Sequence, residues 1–324
     1  MSDKGYIARF MAITLLNIVL LTFIIWLIPE KDYFDGEYPF WKQQKDYTHS
    51  PNNKSQILFL GDSAFKAAVI PDLIGNSAYN LSLGGAGPIE MYYSLKNYLQ
   101  NHPKPQRIFL SFTPMHFTYL DRYRDRTLYF HFLSPYEQIE SQLNIFKLDD
   151  MSLSKILSMS IESWQYLVKF PTKYFQTIKD SKLKRGHFNE EHYQQAANER
   201  GHIFFGRDPE WFNHYEIHKQ LKIDFKLLQV EDFYLRKLLQ LCFDNDIKID
   251  MVQTPINKIT YSEASKYEYF PPYQEYLQTL SKELNINIES ELVFYDVSLF
   301  GDELHLNEEG AKIYSNNLKN KYNL

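Results

Sequence analysis

An α/β fold, with a central and mostly parallel sheet in a three-layer sandwich with helices, is the class this sequence predicts, and three observations lead to it. Short apolar runs at 57–60, 107–112 and 247–253 each end in a turn signal: Gly61-Asp62-Ser63, Thr113-Pro114 and Thr254-Pro255. Helix-like stretches separate them, as in Ile89, Tyr92, Tyr93, Leu95 and Leu99. Hydroxyl, carboxylate and imidazole side chains gather just past the first and last predicted strands, where open parallel sheets build their sites. Strand, turn, helix, strand at this spacing implies right-handed parallel crossovers.

Taken in order, the elements begin with Phe10–Ile28, an uncharged apolar run that just crosses a hydrocarbon core at about 1.5 Å per residue. Lys4 and Arg9 precede it, Trp26 stands at its far end, and Pro29-Glu30-Lys31-Asp32 closes it. No small-residue cleavage pattern follows, so residues 1–29 read as an uncleaved signal anchor. The basic start against Glu30, Asp32, Asp35 and Glu37 places the N-terminus inside and the body outside the cytoplasmic membrane. Residues 30–55 have no sustained periodicity and read as a linker or a stalk packed on the body.

The body, 56–324, starts with the strand at 57–60 and the serine turn, and continues from Ala64 to Val69 as a helix start or an extended loop. Tyr79–Leu83 reads as a second short strand and Gly84-Gly85-Ala86-Gly87-Pro88 as a permissive turn. A helix over 89–101 leads to the strand at 107–112. Residues 117–230 then break the rhythm as a helical insertion, with a strand signal only at Gly201–Gly206. The rhythm returns with a helix at 230–243, a strand at 247–253, a helix near 273–284 and a last strand at 292–297.

Composition narrows the function classes. A chain of 324 residues with 44% hydrophobic and 23% charged residues is globular, with one substantial core plus an insertion or two modest domains. A net charge of −5 without a basic tract gives no footprint for nucleic acid. The single Cys242 excludes a disulfide framework and a cysteine-rich metal site. An aromatic content of 16% fits either aromatic-lined grooves or compositional drift. His187, His192, His202, His214 and His218 suggest a metal cluster, and the last two stand one helical turn apart. No glutamate lies beside His214 as the zinc motif requires, so no metal or other cofactor is expected.

A serine hydroxyl needs a base to remove its proton, and a histidine base needs a carboxylate to fix its tautomer. Of the ten histidines only His305 has the context, in Gly301-Asp302-Glu303-Leu304-His305-Leu306-Asn307 after the last predicted strand. Asp302 can reach that imidazole across one turn. Plainer readings exist for each residue: Asp62 or Ser63 as a helix N-cap, Asp302 as another cap, and the glycines as a bare turn.

Gly61-Asp62-Ser63, Asn80-Leu81-Ser82-Leu83-Gly84-Gly85 and Asp302-x-x-His305-Leu306-Asn307 together resemble the SGNH (GDSL-type) hydrolase superfamily, over roughly 56–115 and 245–320. The resemblance implies an SGNH, flavodoxin-like sandwich with Ser63 as nucleophile and Asp302 and His305 completing the triad. It also implies an oxyanion hole from the backbone N–H groups of Ser63 and Gly85, with Gly84 the fallback. The family's third-block asparagine is missing: Thr113-Pro114-Met115-His116 stands there, leaving Thr113 or His116 to substitute, or else a slow or altered activity. An anchor with an external SGNH-like body and a large insertion is similar in plan to proteins of polysaccharide O-acetylation and of teichoic acid D-alanyl transfer. The expectation is therefore a serine acyltransferase or esterase acting on an exported polysaccharide or other cell-envelope acceptor. The alternative is a non-catalytic partner that docks an integral-membrane O-acyltransferase. Tyr119, Tyr123 and Trp211 of the insertion are the candidates for a glycan groove.

Overall fold

Leu58, Phe59 and Leu60 are fully buried in strand β1 (Ile57–Gly61), as expected of a strand covered on both faces in a parallel sheet. The computed structural model describes residues 3–51, 54–120, 122–149, 152–206, 208, 210–213 and 221–324. The chain divides into two compact units, Met1–Pro39 with Arg124–Tyr193, and Phe40–Tyr123 with Gln194–Leu324.

The second unit holds the sheet. β2 (Ala78–Asn80), β3 (Arg107–Ser111), β4 (Lys248–Met251) and, further along, β6 (Asn287–Ile288) join β1 in the order β2-β1-β3-β4-β6, every pairing parallel. β5 (Ile256–Asn257) and β7 (Phe294–Tyr295) form a separate two-stranded sheet. Phe59 and Phe109 are register partners, stacked 5.3 Å apart, and face a core completed by Tyr314 and Leu318 of the Glu308–Tyr322 helix. Strand alternation sends Leu58, Leu60, Ile108 and Leu110 to the other face, covered by the paired helices Pro88–Asn101 and Gln229–Asp244. The chain is thus a mixed α/β protein with a parallel central sheet and helices on both faces. Because β1 lies between β2 and β3, the crevice at the strand ends opens beside β1 and β3.

Two expectations need correction. Of the run at 292–297, Phe294–Tyr295 form a strand, but in the small sheet. The fifth strand of the main sheet is the two-residue β6, entered through Asn285 at φ 52° and too short and polar to signal itself. Gly201–Gly206 is not a strand, although its approach runs along the edge of β2, where Asn80 N donates to Arg200 O at 2.9 Å. Residues 30–55, read as a linker or a stalk packed on the body, carry helices Glu30–Tyr33 and Tyr38–His49.

The aromatic surplus is largely interior. In the first unit Phe34 packs on Phe130 at 5.1 Å, and Tyr33 on Tyr174 at 6.1 Å. In the second, Tyr47 stacks on Tyr79 at 3.5 Å. Tyr123 and Trp211 are buried, Trp211 within the core of the sheet, so neither lines a groove; Tyr119 is half-buried. Helix Asp3–Leu27 is exposed and apolar all round, and over Lys4–Leu27 it is long and apolar enough to cross a membrane.

Candidate active site

Strand β1 turns into helix Ser63–Ala68 through Gly61 and Asp62. Position 61 requires glycine because the Ser111 carbonyl of β3 occupies the place of a Cβ. Asp62 is buried and caps the helix, its Oδ1 accepting from Ala64 N at 2.9 Å and Phe65 N at 3.2 Å. Its Oδ2 accepts from Thr113 N and Thr113 Oγ1, both at 2.7 Å, with His116 Nε2 at 3.4 Å. One carboxylate therefore ties the ends of β1 and β3 together, and Ser63 heads the helix half-buried.

The far end of that helix is also held. The Asn80 amide donates to the carbonyls of Lys66 at 3.2 Å and Val69 at 3.0 Å, while its oxygen accepts from Ser82 N at 3.1 Å. Buried Lys66 donates to Ser82 O at 2.9 Å and Gly201 O at 2.5 Å. Beyond Ser82 the chain reaches Gly85 at φ 77°, a left-handed conformation that favours glycine. The Arg122 side-chain stem lies directly over it. Neither the Ser63 nor the Gly85 backbone N–H has a hydrogen-bond acceptor among the described residues.

The second half of the site is the loop before the last helix. Asp302 Oδ1 accepts from Leu304 N at 2.9 Å and His305 N at 2.7 Å, and the His305 Nδ1–H donates to Oδ2 at 2.7 Å. The Glu303 carbonyl accepts from Asn257 at 3.0 Å and Thr260 at 2.8 Å, which fastens the loop to the body. Asn307 then caps the Glu308–Tyr322 helix through Gly310 N at 3.0 Å. The Phe205 ring lies 4.8 Å from the imidazole, and Gly206 lies against the Asp302 carboxylate.

These placements set the charges. Burial disfavours charge on His305, but the hydrogen bond and charge of Asp302, with Asp62 beyond, outweigh it and raise its pKa. Burial likewise works against the Asp302 carboxylate, and the His305 bond with the two backbone N–H groups still lowers its pKa. For His116, burial outweighs Asp62, and the cations Arg122 and His305 add to it, so its pKa falls.

The structure thus brings Asp302 and His305 into direct contact, and Asp62, Thr113 and His116 into a second cluster that Asp62 links electrostatically to His305. It does not join Ser63 to His305: Nε2 of His305 is buried without a hydrogen-bond partner among the described residues. Thr113 does not stand as a spare oxyanion donor, because Asp62 takes both of its donors. A cavity of about 580 Å³ lies beside the loop, lined by Ile70, His202, Phe204, Gly206, Phe300 and Gly301 among others, and does not include Ser63.

Among the histidines considered for metal, His202 is buried with Nε2 at 3.2 Å from Ala67 O, and burial pushes its pKa down to about 4. His187 faces Glu191 at 3.4 Å, His192 lies beside Phe188, and His214 and His218 fall outside the described residues. Among the described residues no three metal-ligating side chains stand together. Sequence reasoning missed Arg122 and Phe205. Arg122 belongs to a charged run in the insertion that reads as a solvated face, and no local pattern marks Phe205.

The chain matches no family model and no curated protein. A solved structure described as a candidate platelet activating factor from Streptococcus pneumonia is similar at a TM-score of 0.34 and 16% identity, covering 96% of this chain and 98% of that one. A likeness of that size carries no argument about this chain.

Proposed function

We propose that this chain is a membrane-anchored, extracytoplasmic serine acyltransferase or esterase with an SGNH-type arrangement, acting on O-acyl groups of an exported or cell-envelope polysaccharide. The observation that carries the reading is the Asp302–His305 pair: Nδ1 is bound to the carboxylate at 2.7 Å, and Nε2, the atom a base would use, has no hydrogen-bond partner among the described residues. Support also comes from Ser63, which heads its helix at the C-terminal end of β1, with backbone N–H groups at Ser63 and Gly85 that meet no acceptor among the described residues.

In this mechanism Ser63 Oγ rotates toward His305, gives its proton to Nε2 and attacks the acyl carbonyl. The oxyanion is met by the N–H groups of Ser63 and Gly85. Collapse breaks the ester bond, and the departing alkoxide takes the proton from His305. A sugar hydroxyl or water then attacks the acyl-serine and loses its proton to Nε2, and the bond to Ser63 Oγ breaks as that oxygen takes the proton back from Nε2. Asp302 holds the tautomer and the imidazolium throughout. A fluorophosphonate probe should label the wild-type chain and fail to label Ser63→Ala, with ester turnover lost in parallel. A folded wild type that resists the probe would sink the proposal.

One observation favours a second reading. With both donors of Thr113 taken by Asp62, one of the two third-block candidates for the oxyanion is lost, which favours a non-catalytic partner that docks an integral-membrane O-acyltransferase. Cellular polymer acylation that survives Ser63→Ala would select it.

A further inference from the structure

The unit that contains helix Asp3–Leu27 also carries two apolar stripes turned to solvent. Along helix Leu153–Leu167 they are Leu153, Leu157, Ile161 and Trp164, each at least half exposed and spaced four, four and three residues apart on one face. Along helix Pro135–Leu148 they are Tyr136, Ile139 and Leu143, also at least half exposed. The opposite face of the first helix, through Met159, Ser163 and Tyr166, is the one that packs inward. Apolar stripes of this kind turned to solvent mark an interaction site.

What covers it is indicated by where it sits. Trp26, in the last turn of the apolar helix, donates its Nε1–H to the Val168 carbonyl at 3.1 Å. Lys169 Nζ lies 4.6 Å from the Trp26 ring centre and pairs with Glu30 at 2.7 Å. Trp164 is one turn before Val168, so the stripe begins about 6 Å along the helix from the point where the apolar helix ends. Beside the stripe runs a groove of about 510 Å³, walled by Leu157 and Ile161 and by Arg124 and Lys173. Glu162 pairs with both cations, with Lys173 at 2.6 Å. Apolar side chains with Trp and Tyr, edged by Lys and Arg, form the surface that settles at a lipid headgroup boundary.

We propose that this face, Tyr136–Leu143 with Leu153–Trp164, rests on the bilayer that helix Asp3–Leu27 enters, with Arg124 and Lys173 meeting anionic headgroup phosphates. The inference rests on the reading of Asp3–Leu27 as a membrane anchor. It is tested on the full chain in nanodiscs of phosphatidylcholine and phosphatidylglycerol, with an environment-sensitive fluorophore on Leu157→Cys. The native Cys242 is buried, which leaves the new thiol as the one labelled. A blue-shifted emission, lost when the lipids carry nitroxide chains and unaffected by aqueous iodide, is the expected result. Trp164→Cys serves the same purpose should Leu157→Cys fold poorly. Free iodide access at both positions overturns the inference. So does shielding from iodide without nitroxide quenching, which would mean that protein rather than lipid covers the face. A label at Leu15→Cys separates the two readings: nitroxide quenching there, but not at 157 or 164, removes this inference and leaves the anchor, whereas no quenching at Leu15 removes both.

Discussion

At His305 two influences oppose each other. Burial works against a charged imidazole, while the 2.7 Å bond to Asp302 and the more distant Asp62 work for it, and the second influence prevails. A general base must be neutral, so kcat/KM on an acyl ester should rise with pH through a value above about 6.5. Asp302→Asn should move that limb down and lower kcat by about 10⁴, as expected when the wrong tautomer is held. A limb that stays in place would show that Asp302 does not tune the base. Stability carries the matching signature. The raised His305 pKa contributes fully below about 6.5 and is lost as pH climbs through the folded value. The lowered Asp302 pKa contributes above about 3.9 and is lost as pH falls through its own folded value. The wild type should therefore exceed Asp302→Asn in Tm most clearly between those two pH values. Asp62 has a different task, since its two oxygens satisfy two helix N–H groups and both donors of Thr113. Asp62→Ala should cost about 3 kcal/mol or more in denaturant unfolding, because a cap and charge-assisted bonds disappear together.

The element that bears the serine is a six-residue helix, Ser63–Ala68, far too short to persist by its own propensity. Asp62 holds one end and the Asn80 amide the other. Asn80→Ala leaves buried carbonyls unpaired and should destabilise the fold by about 2 kcal/mol, with ester turnover falling further than stability explains as the serine loses its fixed position. Thermal melts and kinetics on the same preparation check both halves, and unchanged turnover would show that Asp62 alone positions the serine. The same element shows what sequence reveals. β1, β3 and β4 were legible because each is an apolar run stopped by a turn, and Asp302–His305 because its partners are three residues apart. β6 was not, since two residues carry no period, and β7 imitated it with a better apolar pattern. The commitment of Thr113 to Asp62 and the stem of Arg122 over Gly85 join residues distant in sequence, so only the folded chain displays them. For residues 30–55, burial against sequence-distant aromatics replaces the missing periodicity.

Across the whole molecule, the candidate chemistry and the helix long and apolar enough to cross a membrane belong to different compact units: Ser63, Asp302 and His305 to the second, helix Asp3–Leu27 to the first. The insertion is divided as well, with Arg124–Tyr193 in the first unit and the stretch from Gln194, including Phe205, in the second. Turnover of a small soluble ester should therefore not need the apolar helix, whereas acylation of a polymer at the membrane should. Removing residues 1–28 takes away the Trp26 bond to Val168 and its contact with the buried Lys169, a cation–π pair worth about 0.5–2 kcal/mol. It leaves Lys169 paired with Glu30, whose carboxyl that lysine holds below its usual range in spite of burial. It also leaves the aromatic packing of Tyr33 and Phe34 on Tyr174 and Phe130. The trimmed chain should stay folded by circular dichroism, with Tm lowered by a few degrees at most, and should hydrolyse p-nitrophenyl acetate at the full-length rate while failing to restore polymer acylation in cells. Loss of small-ester turnover in a folded, trimmed chain would show that the first unit contributes to the site itself. Full restoration of polymer acylation would show that the anchor is not what brings the serine to its acceptor.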